Sequence, residues 1–281
     1  MPFIQSIRNQ SFQNFNVSSS SPLPVSGAVL WFDGVDLSSI SNGSNVSFWQ
    51  NKGSLGSSFD LINTSQLSNS TGATIPPIKN AINSKHSISF DGSSNMVLWF
   101  RGFHNSPGSA SACFYFDGNS SGGTSVNNRT LFFVYYTSST ILSAFGTYSG
   151  NYSAAGYSNT YDNLGWSYNS NYTILESNDG FPISTSGSTT ITQNSIAQAG
   201  HSQNTSGTVN IWGNRTGSFE TRSYSDGASS QVHPPGIGYG RSTKNNGHLF
   251  EIIVYDRTLN STEINSVRNY LGSKYGQSAN A

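Results

Sequence analysis

Short runs of Val, Ile, Phe, Tyr and Trp recur along the chain from residue 28 onward, separated by clusters of Gly, Asn, Ser and Asp. This pattern is typical of short β-strands joined by tight turns. No helical segments alternate with the runs, so the pattern predicts an antiparallel β-sandwich and an all-β fold class. The predicted strands are 28–32, 46–50, 86–91, 96–101, 112–117, 130–137, 141–147, 172–176, 189–196, 208–213, 218–224, 236–240 and 248–255.

One short helix is predicted near the C-terminus. Asn260 followed three residues later by Glu263 is an N-terminal capping pattern, and Gly276 suits the C-terminal cap. Apolar side chains recur between them at helical spacing, so we expect an apolar stripe that packs against one end of the sandwich. The stripe consists of Ile264, Val267, Leu271 and Tyr275.

Residues 1–24 form a distinct segment, in which apolar side chains are irregularly spaced and a run of Ser leads into Pro22-Leu23-Pro24. We interpret it as an extended N-terminal arm and linker, and residues 25–281 as one sandwich domain. The arm has too little apolar surface to offset its own ordering entropy, so we expect it to order on a partner. Its candidate assembly residues are Phe3, Ile4, Ile7, Phe12 and Phe15.

Charge is scarce and balanced in this chain of 281 residues, of which 13 are basic and 13 acidic. Charged residues make up 9% of the sequence, against about 25% in ordinary soluble domains. The basic residues are scattered singly, which argues against a nucleic-acid partner and against a polybasic membrane patch. No apolar run reaches the ~18–20 residues of a membrane span, and no signal-peptide core is visible, so we expect neither membrane insertion nor ordinary secretion.

Several stretches resemble concanavalin A-like (laminin-G-like) jelly-roll domains. They are Val-Leu-Trp-Phe-Asp-Gly-Val-Asp at 29–36, Val-Ser-Phe-Trp-Gln-Asn-Lys-Gly at 46–53, Ser-Ile-Ser-Phe-Asp-Gly at 87–92, and a closing stretch that comprises Gly-Ile-Gly at 236–238, residues 248–259 and the helix that follows them. The resemblance is carried by the two ends of the chain, because 103–205 matches only as generic β-sequence. It implies a jelly-roll fold rather than a reaction, since such domains serve as lectin modules, adhesion modules, glycosidase scaffolds and viral structural proteins.

The acidic residues do not show the spacing of a glycosidase on this fold. A retaining enzyme needs two carboxylates about 5–5.5 Å apart, which family members supply as Glu-x-Asp-x-Glu on one strand. Here Glu251 and Asp256 are five positions apart, and Asp33 and Asp36 are three apart, so each pair falls on opposite faces of a regular strand. We therefore predict no catalytic residues and a protein that is not an enzyme.

Metal and cofactor signals are also weak. Ca²⁺ requires about 6–8 oxygen ligands, and the acidic residues are dispersed, so Asp33, Asp36 and Asp91 are interpreted as stabilising their own turns. Cys113, the only cysteine, is interpreted as a core residue. We predict no metal and no cofactor. The histidines show no ligand spacing; they are His86, His104, His201, His233 and His248.

Aromatic residues concentrate between 146 and 173 among Ser, Gly, Asn and Ala. Flat amphipathic rings with adaptable hydrogen-bonding neighbours are the chemistry of binding loops, and sugars or proteins would suit them equally. The alternative is that these rings pack on their own sandwich. A second cluster, at 99–104, places Trp99 and Phe100 on opposite strand faces, so at least one belongs to the core. The candidate ligand-binding residues are Tyr148, Tyr152, Tyr157, Tyr161, Trp166 and Tyr168.

Two functions remain open on this basis. The first is a non-enzymatic virion structural protein, a capsid decoration or fibre-associated protein located in the virion, whose arm binds other capsid proteins or copies of itself. The alternative is an extracellular or cell-surface adhesin that recognises glycans through its Tyr- and Trp-rich loops.

Overall fold

The computed structural model describes residues 22–63, 75–94, 96–101, 128–138, 194–204, 208–213, 219–223, 236–238 and 246–277, together with short segments elsewhere between 114 and 192. In chain order the strands are β1 (Ala28–Asp33), β2 (Phe48–Trp49), β3 (Leu61–Ile62), β4 (Ile78–Ile82), β5 (Lys85–Asp91), β6 (Leu98–Phe100), β7 (Phe114–Tyr115), β8 (Thr124–Ser125), β9 (Arg129–Tyr136), β10 (Phe145–Gly146), β11 (Asn163–Leu164), β12 (Asn171–Ile174), β13 (Ser177–Asn178), β14 (Phe181–Pro182), β15 (Thr185–Thr190), β16 (Ala197–Gln203), β17 (Thr208–Gly213), β18 (Glu220–Ser223), β19 (Gly236–Ile237) and β20 (Asn246–Tyr255). Helix α1 spans Ser261–Tyr275, and short 3₁₀ turns occur at Gly34–Leu37 and Gly56–Phe59.

Two antiparallel sheets form the sandwich. The larger has eight strands in the order β18-β17-β16-β9-β20-β5-β4, with β1 also paired to β20. The second has four strands in the order β19-β6-β3-β2. The predicted all-β sandwich with one C-terminal helix is confirmed.

The larger sheet is buried on both faces, and alternate residues of a strand therefore enter two different cores. On β9, Leu131 and Phe133 belong to the inner core between the sheets, while Phe132 and Val134 belong to the outer core under helix α1. This explains why the β9 sequence is an almost continuous apolar run.

Helix α1 covers the outer core as predicted. The Asn260 side chain accepts a hydrogen bond from the Glu263 amide, the Glu263 carboxylate accepts one from the Asn260 amide, and Gly276 ends the helix at a φ of 68°. Val267 and Leu271 are fully buried beneath the helix, and each such side chain contributes roughly 1.5–3 kcal/mol.

A β-bulge on β20 redirects the side chains of that strand. Leu249 pairs with Tyr135 and Glu251 pairs with Val134, so Phe250 is an extra residue between them. Phe250 packs in the outer core, and Glu251 also reaches helix α1 through the Tyr275 hydroxyl. The bulge thus brings a carboxylate to the helix-covered face.

Of the other sequence predictions, one is partly wrong and some concern residues outside the described ranges. The predicted strand 189–196 is wrong in its second half, because 194–196 is not a strand and β16 begins at Ala197. Cys113 and residues 1–21 lie outside the described residues. Leu23, placed in the linker by sequence, packs against the outer core, which also contains Val25.

Candidate functional site

The densest group of titratable side chains in the described structure lies where β1, β20 and helix α1 meet. Asp33, the last residue of β1, is directly opposite Glu251 of β20 in the antiparallel register. Both side chains are fully buried. Two like charges facing each other across a sheet are destabilising unless a cation lies between them, so this pair requires one.

Lys274 supplies that cation from the last turn of helix α1. Its Nζ lies 2.7 Å from Asp33 Oδ1 and 2.8 Å from Glu251 Oε2. The Tyr270 hydroxyl is 3.2 Å from the same Nζ, and the Tyr275 hydroxyl donates to Glu251 Oε2 at 2.9 Å. Helical spacing places all three side chains on the face that meets the sheet.

A second lysine closes the partly exposed end of the group. Lys52 Nζ lies 2.9 Å from Asp33 Oδ2 and 3.3 Å from Asp36 Oδ1, and 4.1 Å from the centre of the Trp31 ring. The indole N–H of Trp31 donates to Glu251 Oε1 at 2.8 Å. We call these eight side chains the junction cluster; its members are Trp31, Asp33, Asp36, Lys52, Glu251, Tyr270, Lys274 and Tyr275.

The turn after β1 fixes the Asp33 end of the junction cluster. The Val35 amide donates to Asp33 Oδ1 at 3.0 Å, so Asp33 caps the first 3₁₀ turn. A side chain at Gly34 would place its Cβ 2.1 Å from the backbone oxygen of His86, so only glycine fits there. The prediction that Asp33 and Asp36 lie on opposite faces is wrong, because Asp36 lies in this turn and shares Lys52 with Asp33.

The two buried carboxyls have pKa values shifted in opposite directions. Burial alone would raise the pKa of Asp33, but the ammoniums of Lys274 and Lys52 outweigh it and leave that pKa below its usual value. Burial raises the pKa of Glu251 to about 7, with Lys274 opposing the shift and the Asp33 charge adding to it. Two carboxyls whose pKa values differ in this way can act as a proton donor and an anion within one site.

A different kind of surface lies on the smaller sheet. Phe48, Ile62 and Trp99 are neighbours in register across β2, β3 and β6. Trp99 is buried, whereas Phe48 is 37% exposed. The Arg101 guanidinium lies 5.4 Å from the Phe48 ring centre. We call Phe48, Ile62 and Arg101 the Phe48 surface.

Asp60 holds the Arg101 side chain beside that ring. Arg101 Nη2 lies 3.2 Å from Asp60 Oδ2, and the Arg101 amide donates to the Asp60 carbonyl at 2.8 Å. Asp60 is itself fixed, since its Oδ1 accepts from the Asn51 amide at 2.8 Å. The result is an exposed aromatic ring next to an oriented, partly exposed guanidinium.

Most of the site residues predicted from sequence lie outside the part of the chain that the structure describes. The candidate ligand-binding residues Tyr148, Tyr152, Tyr157, Tyr161, Trp166 and Tyr168, and the arm residues Phe3, Ile4, Ile7, Phe12 and Phe15, lie outside the described residues. In the cluster at 99–104, Trp99 and Phe100 are both buried.

The described turns bear out the role assigned to two aspartates, because Asp33 accepts from Val35, and Asp91 accepts from the amides of Ser93 and Ser94. Within the described ranges, no three His, Cys, Asp or Glu side chains are grouped to hold a metal ion. No helix among those ranges is long and apolar enough to cross a membrane.

Comparisons with known proteins concern the fold. No protein-family model matches the chain, and no curated protein matches it in sequence. Its fold is similar to that of a GH54 α-L-arabinofuranosidase soaked with a cyclic sulfate inhibitor, with a TM-score of 0.52 and 10% identity over 89% of this chain and 60% of that chain.

Two further solved structures have lower TM-scores. Domain 4 of AbnA, a GH43 extracellular arabinanase from Geobacillus stearothermophilus in complex with arabinotriose, matches with a TM-score of 0.45 and 13% identity over 70% of this chain and 83% of that domain. Trypanosoma rangeli sialidase in complex with sialic acid matches with a TM-score of 0.43 and 14% identity over 90% of this chain. The chain spans 34% of the sialidase's length.

The fold therefore defines a class: the chain is a β-sandwich of a type that occurs in carbohydrate-active proteins. The expectation of a non-enzymatic virion structural protein is contradicted, because the fold is similar to that of a glycoside hydrolase, the GH54 arabinofuranosidase. The prediction that the chain lacks a carboxylate pair is also wrong, because Asp33 and Glu251 form one across two strands.

Proposed function

We propose that this domain binds carbohydrate, with the Phe48 surface as the place where a sugar ring stacks. The observation that carries the proposal is the exposed Phe48 ring beside the Arg101 guanidinium, which Asp60 holds in position. The fold supports it, since a carbohydrate-active enzyme has a similar one. Within this class, we assign the chain to the concanavalin A-like jelly-roll type on the sequence stretches at its two ends.

The chemistry of the Phe48 surface suits a sugar. One face of a sugar ring carries C–H groups that pack on an aromatic ring, and its edge carries hydroxyls that accept hydrogen bonds. Arg101 has five N–H donors, and Asp60 neutralises its charge. The surface is therefore suited to neutral sugars. The Tyr- and Trp-rich residues at 148–168 remain a second proposed binding surface.

Calorimetric titration with a panel of neutral oligosaccharides, including arabino-oligosaccharides, tests this proposal. We expect Phe48→Ala to weaken binding by about two- to tenfold, the range of a lost ring-stacking contact. Ile75→Ala is the matched control, because Ile75 is exposed to a similar extent, 40%, but is not aromatic. Unchanged binding by Phe48→Ala, or an equal loss in the control, would refute the Phe48 surface. A loss only in Tyr152→Ala, Trp166→Ala and Tyr168→Ala combined would move the site to the second surface.

Glycoside hydrolysis is a second candidate function, favoured by the opposed pKa shifts of Asp33 and Glu251. Because both carboxyls are fully buried, a substrate can reach them only if part of the junction cluster moves, either Lys52 at its partly exposed end or helix α1. Turnover of aryl arabinofuranosides and of β-glucans tests it. We expect Glu251→Gln to lose about 10²–10⁴-fold of any such rate, the usual contribution of a general acid or base. Turnover that is absent, or is unchanged in the variant, would exclude this role.

A further inference from the structure

The junction cluster has an imbalance of charge in a buried place. It contains three carboxyls, on Asp33, Asp36 and Glu251, and two ammoniums, on Lys52 and Lys274. With every group ionised, the cluster would carry one net negative charge away from water. Binding one proton removes this excess at the lowest cost, since an unpaired buried charge costs several kcal/mol.

The contacts indicate which carboxyl takes the proton. Asp33 lies against both ammoniums and also accepts from the Val35 amide, so its charged form is well compensated. The Asp36 side chain is 8% exposed and shares Lys52 with Asp33, and burial raises the pKa of Asp36. Glu251 is fully buried, has Lys274 alone as its ion-pair partner among the described residues, and shares that lysine with Asp33.

We propose that the meeting point of β1, β20 and helix α1 is a proton-sensitive latch, which holds one proton at Glu251 and loosens when that proton leaves. Loss of the proton restores the like-charge pair across β1 and β20. Among the described residues, the contacts that stabilise the ionised Glu251 carboxylate come from Trp31 on β1 and from Lys274 and Tyr275 on helix α1. Two of these three contacts come from helix α1, so the stability of the ionised pair depends on the attachment of the helix. The latch requires neither sugar binding nor hydrolysis.

Among the described residues, the charged or titratable groups around Glu251 come from four elements and one connecting segment. β1 contributes Asp33, the first 3₁₀ turn contributes Asp36, and the segment after β2 contributes Lys52. Helix α1 contributes Lys274 and two tyrosines, and burial raises the pKa of Tyr270 to about 12, so it stays neutral. β20 also carries His248, whose pKa burial lowers; it contacts Ser87 and Tyr136.

The indole N–H of Trp31 reports on this latch directly, because it donates to Glu251 Oε1. In two-dimensional ¹H–¹⁵N NMR of the full chain, assigned with Trp31→Phe, we expect the Trp31 indole resonance to shift with a midpoint near pH 7. Glu251→Gln should abolish the shift. Glu263→Gln, the same change at the helix N-terminus, should retain it, and so should His248→Gln.

Thermal unfolding between pH 5 and 8 provides the second readout. The folded pKa of Glu251 is raised above its ordinary value of 4.5, so the stabilisation is present at low pH and is lost as pH rises through about 7. The melting temperature of the wild type should therefore fall over this range relative to that of Glu251→Gln. A Trp31 resonance that does not move between pH 5 and 9 would overturn the latch even if the variant failed to fold. So would an identical shift in folded Glu251→Gln.

Discussion

Single residues of this sandwich show where sequence spacing is informative and where it is not. Asp33 and Glu251 are far apart in the chain, and they meet only because β1 pairs with β20 and a bulge at Phe250 turns Glu251 toward the helix. Spacing within one strand, the only test that the sequence allows, could not reveal that contact. The prediction that Asp33 and Asp36 lie on opposite faces was wrong for a simpler reason. Side chains alternate between faces along a strand, and Asp36 lies in a 3₁₀ turn.

His201 is a second buried titratable residue whose role depends on its surroundings. It lies on β16, two positions from Ala199 of the inner core, and neither ring nitrogen has a hydrogen-bond partner among the described residues. Burial, and secondarily the charge of Arg129, lowers its pKa well below 6.5. The ring is therefore neutral in the folded protein.

We expect the neutrality of His201 to make the fold sensitive to acid. Because the folded pKa is lowered, the stabilisation is present above pH 6.5 and is lost as pH falls, by up to about 1.4 kcal/mol per pH unit. Leucine at this position loses no hydrogen bond, so His201→Leu should be more resistant between pH 7 and 5. Urea unfolding at both pH values measures this, and equal losses in the two proteins would contradict it.

At the scale of elements, the sequence predicted the strongly patterned segments best. β1, β9, β20 and helix α1 all combine apolar periodicity with turn or cap residues. β16 was missed because Ala-Gln-Ala-Gly-His-Ser-Gln has little β-propensity. It is a strand because β9 pairs with one of its edges and β17 with the other. Such tertiary context is not visible in the sequence.

Helix α1 is attached to the sheet by apolar packing and by Lys274, and these contributions can be separated. Lys274→Met keeps the length of the side chain but leaves Asp33 and Glu251 without the ammonium between them. Removing one partner of a buried ion pair costs about 3–5 kcal/mol, so we expect a loss of stability in this range at pH 8. Equilibrium urea unfolding measures it.

The matched control for Lys274 is Lys85→Met, on a half-buried lysine of β5. We expect a change below about 1 kcal/mol there, as for partly exposed charges in general. At pH 5, where Glu251 holds its proton, the loss caused by Lys274→Met should be smaller than at pH 8. Equal losses at both pH values, or an equal loss in the control, would contradict an electrostatic role for Lys274.

At the scale of the whole molecule, the stretches that resembled a known fold are neighbours in space. The stretch at 29–36 overlaps β1, the stretch at 87–92 overlaps β5, and the closing stretch overlaps β20. Both β1 and β5 pair with β20. The residues that carry the resemblance therefore pair within one sheet. The activity was harder to predict, since one fold supports many functions.

The described core begins at Leu23 and Val25, and the Tyr255 hydroxyl donates to the Val25 carbonyl at 2.9 Å. The chain that lacks residues 1–27 should therefore melt clearly below the chain that lacks residues 1–21, because Leu23, Val25 and the buried Tyr255 hydroxyl lose their contacts. Differential scanning calorimetry of the two truncated chains measures this, and equal melting temperatures would contradict the boundary.

The central position of β20 also governs how this chain can fold during synthesis. β20 lies between β9 on one side and β5 on the other, yet it comes from residues 246–255, near the end of the chain. Its partners leave the ribosome first and must wait, with unpaired edges, until residues 246–255 have been made. Such long-range pairing is intrinsically slow. The nascent chain is therefore exposed to edge-to-edge aggregation between the synthesis of β5 and that of β20, and a binding chaperone would protect it most in that interval.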